Sequence, residues 1–421
     1  MNFVLSHKKL FFLLGGILVL LFIYFESFVK AEKDFDVFIG AAKLIREGKT
    51  CYNSWIPSGK DAMCYCYSPL FAIVLIPLSY LSQYGYNIVW ISLNIFFLYR
   101  IILLINFFSG RSSLTSKWKP YFYLIITICT LRFLLYNFDL GQMTIFLVYA
   151  SMESSRLIAE NKKWQGASLL AFAINIKLLP LTLLFYFVYR GEFKASIFII
   201  FFSLIYLFLP ALFLGFSFNN RLLQDWWSVM TTMANNSMFE DVGRESLSAL
   251  VPAYVMDVKE EINFHRNVLS LSVENTFYIL NLCRIIFVLL SIYFFRAFPF
   301  KKITNPFFHY YALSYILLIT PLIAPHQGKY AFFYSLPAFS YLTYFVLSYF
   351  TTSAIHGKEL KDKMKIVIAG IIVSFIFTTL TSDGIIGRNL SNIANYYHLI
   401  TIGIIILILP LALLTPEKLV K

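Results

Sequence analysis

The chain has 421 residues, 59% of them hydrophobic, with 45 Phe and 28 Tyr, and a mean hydropathy of +0.71. A water-soluble globule keeps a polar exterior, and the 14% of charged residues here are too few and too clustered to supply one; lipid is the solvent that tolerates such a surface. The net charge of +13 does not point to nucleic acid, because no soluble segment carries a basic stripe with interleaved aromatics. Basic cytoplasmic loops and lipid phosphates account for it.

In chain order, His7, Lys8 and Lys9 precede an apolar run from Leu10 to Phe25. No small-residue cleavage site follows, so the run reads as an uncleaved first helix. Apolar runs of spanning character lie near 10–28, 67–82, 87–108, 120–137, 142–158, 166–190, 194–214, 276–296, 307–324, 331–350, 366–381 and 396–414. A spanning helix needs about 20 apolar residues, so 67–82 is short and 166–190 is interrupted. The expectation is an all-α polytopic membrane protein, 1–421 forming a single membrane domain without internal repeats.

Short loops rich in Lys and Arg set orientation. By that rule Lys8, Lys9, Arg296 to Lys302 and Lys358 to Lys365 are cytoplasmic, which leaves the loop 29–66 and the polar segment 215–275 on the exoplasmic face. Arg111 to Lys119 and Arg156 to Lys163 also look cytoplasmic, and simple alternation cannot put both there. A re-entrant helix at 67–82, or a broken pair at 166–190, would repair the count.

Within the first loop, Asp34 to Gly48 reads as an amphipathic helix with Phe38, Ala41, Ala42 and Ile45 at helical spacing and Gly48 as its stop. It would lie flat on the membrane surface. Asp34 and Asp36 begin it. They are either caps that meet the helix dipole or a partly desolvated carboxylate suited to act as a general base. The second segment contains Trp226, Trp227 and short helical patterns that would roof a cavity.

Lys177 lies in the apolar run Ile174-Asn-Ile-Lys-Leu-Leu-Pro180, where proline must break the helix. It either snorkels to an interface or meets a lipid phosphate. His326 follows Thr320-Pro-Leu-Ile-Ala-Pro325, with Lys329 close by; it is an ordinary interfacial histidine, a phosphate ligand or a proton relay. Asp139, Gly141 and Gln142 form a turn between two spans. Arg244, Glu245 and Ser246 in the long polar segment are candidate contacts to a polar substrate. Cys51, Cys64 and Cys66 fall in the first loop, where a Cys51–Cys64 or Cys51–Cys66 bridge would clamp it in an oxidising compartment. Zinc is disfavoured by the lack of a matched histidine.

Taken together, several pieces resemble glycosyltransferase family 87, the polyprenol-phosphate-mannose-dependent mannosyltransferases and related arabinofuranosyltransferases of the C-type (GT-C) membrane superfamily. They are Asp34-Phe-Asp-Val-Phe with Ala41, Ala42 and Gly48; Tyr52; Tyr67-Ser-Pro-Leu-Phe; Trp90 with Asn94; Gly141-Gln142; Lys177 with Pro180; Glu245-Ser246-Leu247; and Thr320-Pro321 through His326. Departures are Ser68 in place of the first proline of the family's Tyr-Pro-Pro-Leu, Glu245 where a polar amide is common, and a single histidine near 326. The resemblance implies a GT-C-like bundle of about 11–13 transmembrane helices with exoplasmic interfacial helices. It also implies inverting transfer of a mannose-like or pentose sugar from a polyprenyl-phosphate donor to a lipid or glycan acceptor on the exoplasmic side of the inner (plasma) membrane. Asp34 maps to the family's base, with Asp36 its nearest competitor, and His326 to a histidine near the lipid phosphate. Lys177, His326 and Lys329 are then the phosphate-binding candidates, and Tyr67, Gln142, Arg244, Glu245 and Ser246 the substrate-binding ones. Since side-chain cations can serve a phosphate leaving group, no cofactor or obligatory metal is expected. A transporter or flippase of a polyprenyl-linked glycan is the competing reading; it would place broken helices and charges near mid-membrane.

Overall fold

The computed structural model describes residues 34–58, 61–110, 117–236, 243–256, 264–301, 305–351 and 358–416. The run 10–28 with its flanking His7, Lys8 and Lys9 lies outside the described residues, as do Arg111 and Lys302. The described chain is almost wholly helical. Its one sheet is an antiparallel hairpin, Trp55–Ser58 with Asp61–Cys64, in the register Trp55↔Cys64 and Ile56↔Met63.

Local signals place the helix ends. Ser82 caps Gln83–Phe108 by accepting from the Gly85 N–H at 3.3 Å, Ser272 caps Val273–Phe295, and Asn305 caps Pro306–Ile323, each satisfying an otherwise orphaned N–H. Pro120 opens Lys119–Leu140, where its missing N–H costs nothing.

Among the described residues seven helices are long and apolar enough to cross a membrane, or up to eight if Asp383–Tyr396 and Leu399–Leu413, bent by 70°, form one broken span. The described residues add the shorter helices Thr144–Ala159, Lys163–Ile176 and Leu179–Tyr189 to these, while the expected 11–13 also counted the run 10–28. Thr144–Ala159 is largely buried, and a helix shielded by protein need not match the hydrocarbon thickness.

The run 67–82 does not cross. Pro69–Val74 gives one short helix, Ile76–Tyr80 a 3₁₀ turn, and the chain then enters Gln83–Phe108. The run 166–190 breaks at Lys177 and doubles back, since Lys163 Nζ meets Glu192 Oε2 at 2.6 Å. Both repairs are therefore used. Arg156 reaches the Phe107 ring at 5.9 Å, and the Phe300 N–H donates to the Tyr189 carbonyl at 2.7 Å. The basic segments around 117–119, 156–163, 190–194 and 296–301 consequently gather at one end of the bundle.

Burial separates centre from periphery. The candidate span Lys329–Thr351 is 94% buried and Pro306–Ile323 72%, while Phe193–Leu214 and Val273–Phe295 are only 11% and 17% buried. The first pair forms the core and the second faces lipid. One contiguous apolar cluster runs from Phe35 to Leu414.

Candidate functional site

At the end of the bundle away from the basic segments lies a cavity of about 680 Å³. Its floor begins with the helix Asp34–Arg46, whose buried stripe Phe35, Phe38, Ala41, Ala42 and Ile45 matches the apolar spacing of the sequence. Phe35 stacks on Trp90 with centroids 4.4 Å apart. Any Cβ at Gly40 would collide with Ile56 of the hairpin, so only glycine lets the helix lie so close. Thus fixed, the helix presents Asp34 to the cavity.

Asp34 Oδ2 accepts a 2.8 Å bond from Gln142 Nε2, and Gln142 Oε1 accepts from the Tyr67 hydroxyl at 3.2 Å. The Tyr52 hydroxyl in turn donates to the Tyr67 carbonyl at 2.7 Å. A hydroxyl on one side and a carboxylate on the other leave the Gln142 amide one sensible orientation. Gln142 is held because Gly141, at φ 65°, ends Lys119–Leu140 in the left-handed region that favours glycine; the Gly141 carbonyl accepts from Trp90 Nε1 at 2.9 Å. Burial raises the Asp34 carboxyl above its ordinary 3.8, and the Asp139 charge adds to the rise; the Gln142 hydrogen bond and the Arg244 and Lys177 charges oppose it. A carboxylate so placed is a better proton acceptor than one in water.

Cations face it. Lys177 ends Lys163–Ile176 in extended conformation, the break demanded by Pro180, and its Nζ lies 5.6 Å from the Tyr67 ring centroid and 5.1 Å from that of Tyr330. Arg244 follows Gly243 (φ 76°), and His326 sits at φ 55° between Pro325 and Gln327. A positive φ at a non-glycine residue is strain of the kind found at functional sites. All three line the cavity. The roof is Phe216–Asn236, tied to the first loop by Trp226 Nε1 to the Cys66 carbonyl at 3.2 Å and by Thr50 Oγ1 to Asp225 Oδ2 at 3.0 Å. Its Val229, Met230 and Met233 supply an apolar wall.

Of the candidates read from sequence, Asp34, Tyr67, Gln142, Lys177, Arg244 and His326 meet around this one space. Four do not line it. Asp36 faces the other way, accepting from the Tyr86 hydroxyl at 2.5 Å and Gln83 Nε2 at 3.4 Å. Lys329 Nζ lies over the Tyr136 ring at 5.6 Å. Glu245 and Ser246 are 1% and 0% exposed: Glu245 accepts from Thr401, and Ser246 caps Leu247–Val255 through the Ser248 N–H. Neither anticipated disulfide is present, as Cys51, Cys64 and Cys66 are free thiols. The hairpin and the Tyr52–Tyr67 hydrogen bond close the loop that a bridge would have clamped. Among the described residues no group of three His, Cys, Asp or Glu side chains could hold a metal ion.

Tyr330, Asn53 and Gln327 also line the cavity and went unnoticed in the sequence. Tyr330 is brought in by Asn137 Nδ2, which donates to its carbonyl at 2.9 Å. One signal was available, the prolines at 321 and 325, which mark the end of Pro306–Ile323 and a short non-helical turn that leads into the 3₁₀ helix Lys329–Ser335.

Searches against curated proteins and against solved structures returned no match. The sequence model of glycosyltransferase family 87 matches residues 65–325, a stretch that includes Tyr67, Gln142, Lys177 and Arg244 and ends one residue before His326. With more than half of its length matched, this membrane-embedded, all-α chain belongs to glycosyltransferase family 87 and is a glycosyltransferase.

Proposed function

We propose that the chain transfers a mannose-like or pentose sugar, with inversion, from a polyprenyl-phosphate donor to a lipid or glycan acceptor in the cavity beside Asp34. One observation carries the reading: the half-buried carboxyl of Asp34, the cations Lys177 and Arg244, and the His326 imidazole line a single space at the end of the bundle. Asp34 takes the proton of an acceptor hydroxyl as that oxygen attacks the anomeric carbon. The bond from that carbon to the phosphate oxygen breaks, and the electron pair leaves with the lipid phosphate. A single displacement inverts the anomeric centre, through a transition state of oxocarbenium character. Negative charge grows on the phosphate, where Lys177, Arg244 and His326 stabilise it in a site of low dielectric. These side-chain cations do the work, so neither a cofactor nor a metal is invoked. The apolar wall of Val229, Met230 and Met233 suits the first isoprene units of the donor.

The gathering of basic loops at the opposite end supports an exoplasmic cavity in the plasma (inner) membrane. The placing of the cavity at one end of the bundle favours this reading over transport, which needs its polar residues near the midplane. Two experiments test it. Purified protein given radiolabelled polyprenyl-phosphate-mannose, or the corresponding pentose donor, with extracted membrane lipid is expected to form labelled product; no transfer from either donor sinks the donor assignment. In intact cells, a membrane-impermeant maleimide is expected to label Trp55→Cys, whose parent side chain is 73% exposed beside the cavity, above the background of the parent chain. Phe298→Cys, 81% exposed in the parent at the other end, should stay unlabelled. The reverse pattern inverts the topology.

A further inference from the structure

Glu245 is buried between Arg244, which lines the cavity, and Ser246. Its N–H donates to the Gln327 carbonyl at 2.8 Å, one residue beyond His326. The Thr401 hydroxyl lies 2.6 Å from the Glu245 carbonyl oxygen and 3.2 Å from Oε2. His398 Nδ1 lies 3.7 Å from the same Oε2, with both side chains all but fully buried. Thr401 and His398 stand at the start of Leu399–Ile406, just past the 70° bend, and neither touches the cavity. A carboxylate so deeply buried is costly unless its partners are in place. Here they come from a part of the chain beyond the matched residues 65–325.

We propose that Glu245 is a positioning residue, anchored by Thr401 and His398, which holds Arg244 and His326 at the cavity wall as a pair. The segments 243–246 and 325–330 lie side by side, joined by the Glu245–Gln327 backbone bond, and the bent C-terminal helix pair sets where that joint sits. Displacing a cation by about 1 Å is enough to cost large factors in rate. The proposal rests on the reading of Arg244 and His326 as phosphate ligands.

The test uses full-length protein in lipid nanodiscs, with polyprenyl phosphate as the probe and its binding followed by tryptophan fluorescence. Thr401→Val keeps the side-chain shape and removes the hydroxyl; Thr401→Ser keeps the hydroxyl. Thr401→Val is expected to weaken binding roughly tenfold, the equivalent of about 1.4 kcal/mol, in protein that stays folded at the assay temperature although its melting temperature falls, and Thr401→Ser to restore both. Equal binding by Thr401→Val and wild type overturns the proposal. Should Thr401→Val not fold, Glu245→Gln and Glu245→Leu carry the test. The amide still accepts from Thr401 and is expected to bind within a few-fold of wild type, while the leucine loses roughly tenfold; equal binding by the two overturns it. Asp34→Asn, measured alongside, is expected to bind but not transfer, so a failure of the base assignment is read separately. A wild type that does not bind polyprenyl phosphate removes the phosphate reading and this proposal with it.

Discussion

Replacing Asp34 by asparagine removes the proton acceptor and little else. Asparagine has the same shape and keeps an oxygen for Gln142 Nε2, now 2.8 Å from Asp34 Oδ2, so the Tyr67–Gln142 link survives. A neutral hydrogen bond is roughly half as strong as a charge-assisted one, a loss on the order of 1 kcal/mol that is offset because a desolvated charge is gone. A positioned general base contributes about 10²–10⁴ in rate, equivalent to roughly 3–5 kcal/mol of transition-state stabilisation. The expected phenotype of Asp34→Asn is therefore a kcat lower by at least about a hundredfold, with the melting temperature preserved. The donor KM should not rise, since removing an anion near Lys177 and Arg244 leaves phosphate binding intact or tighter. The assay is transfer of radiolabel by purified protein under single-turnover conditions, with thermal unfolding in parallel. Transfer by Asp34→Asn at a rate within a few-fold of wild type would refute the reasoning.

The pH dependence follows from the same group. Because burial raises the Asp34 carboxyl above 3.8, the acid limb of kcat/KM should fall at a pH higher than an exposed aspartate would give. For stability the sign is opposite to that of a salt-bridged carboxylate. A folded-state value above the unfolded one means that stability is greatest below 3.8 and declines as pH rises through the folded value. Asp34→Asn should flatten that decline.

Three further outcomes are expected. Gln142→Leu removes the hydrogen bond that lowers the Asp34 carboxyl, so the acid limb of kcat/KM should move to still higher pH; an unmoved limb would detach Gln142 from the base. Lys177→Met should lower kcat by about 10²–10³, the usual loss of one transition-state charge partner, and Lys177→Arg should recover part of it in the same transfer assay. Trp90→Phe orphans the buried Gly141 carbonyl that accepts from Nε1 at 2.9 Å, at a cost of about 1–3 kcal/mol, and should appear as a lower melting temperature in a thermal scan. An unchanged melting temperature would show that this bond does not hold the Gly141 turn.

The sequence alone determined the solvent and the class of fold, because long apolar runs with clustered charges have no stable form in water. It also determined local breaks that are matters of backbone chemistry: Pro180 forces the chain out of helix beside Lys177, and Gly141 permits the left-handed turn that aims Gln142. The amphipathic pattern after Asp34 could be read for the same reason, as a period of 3.6 residues sorts one face from the other. Asp34 and Asp36, two residues apart on that helix, must point to nearly opposite sides, but which side is the cavity depends on what packs against Phe35 and Phe38. Only the assembled structure decided that.

Tertiary contacts also decided the fate of Arg244, Glu245 and Ser246. Three consecutive polar residues look alike in sequence, yet one lines the cavity, one is tied to Thr401 and one caps a helix. Mean hydropathy does rank the lipid-facing Phe193–Leu214, at 2.7, above the buried Lys329–Thr351, at 1.2, but a helix that is apolar all round carries no signal for which of its faces meets protein and which meets lipid. The crossing count suffered likewise, because whether 67–82 spans depends on how Pro69–Val74 and Ile76–Tyr80 pack, and whether 166–190 crosses once or twice depends on where the Lys163–Glu192 pair closes the loop. Apolar length is written in the chain one residue at a time. The direction in which a charged side chain finally points is a property of contacts between segments far apart in the chain, 156 residues for Thr401 and Glu245 and 249 for Arg132 and Thr381, and no local pattern encodes it.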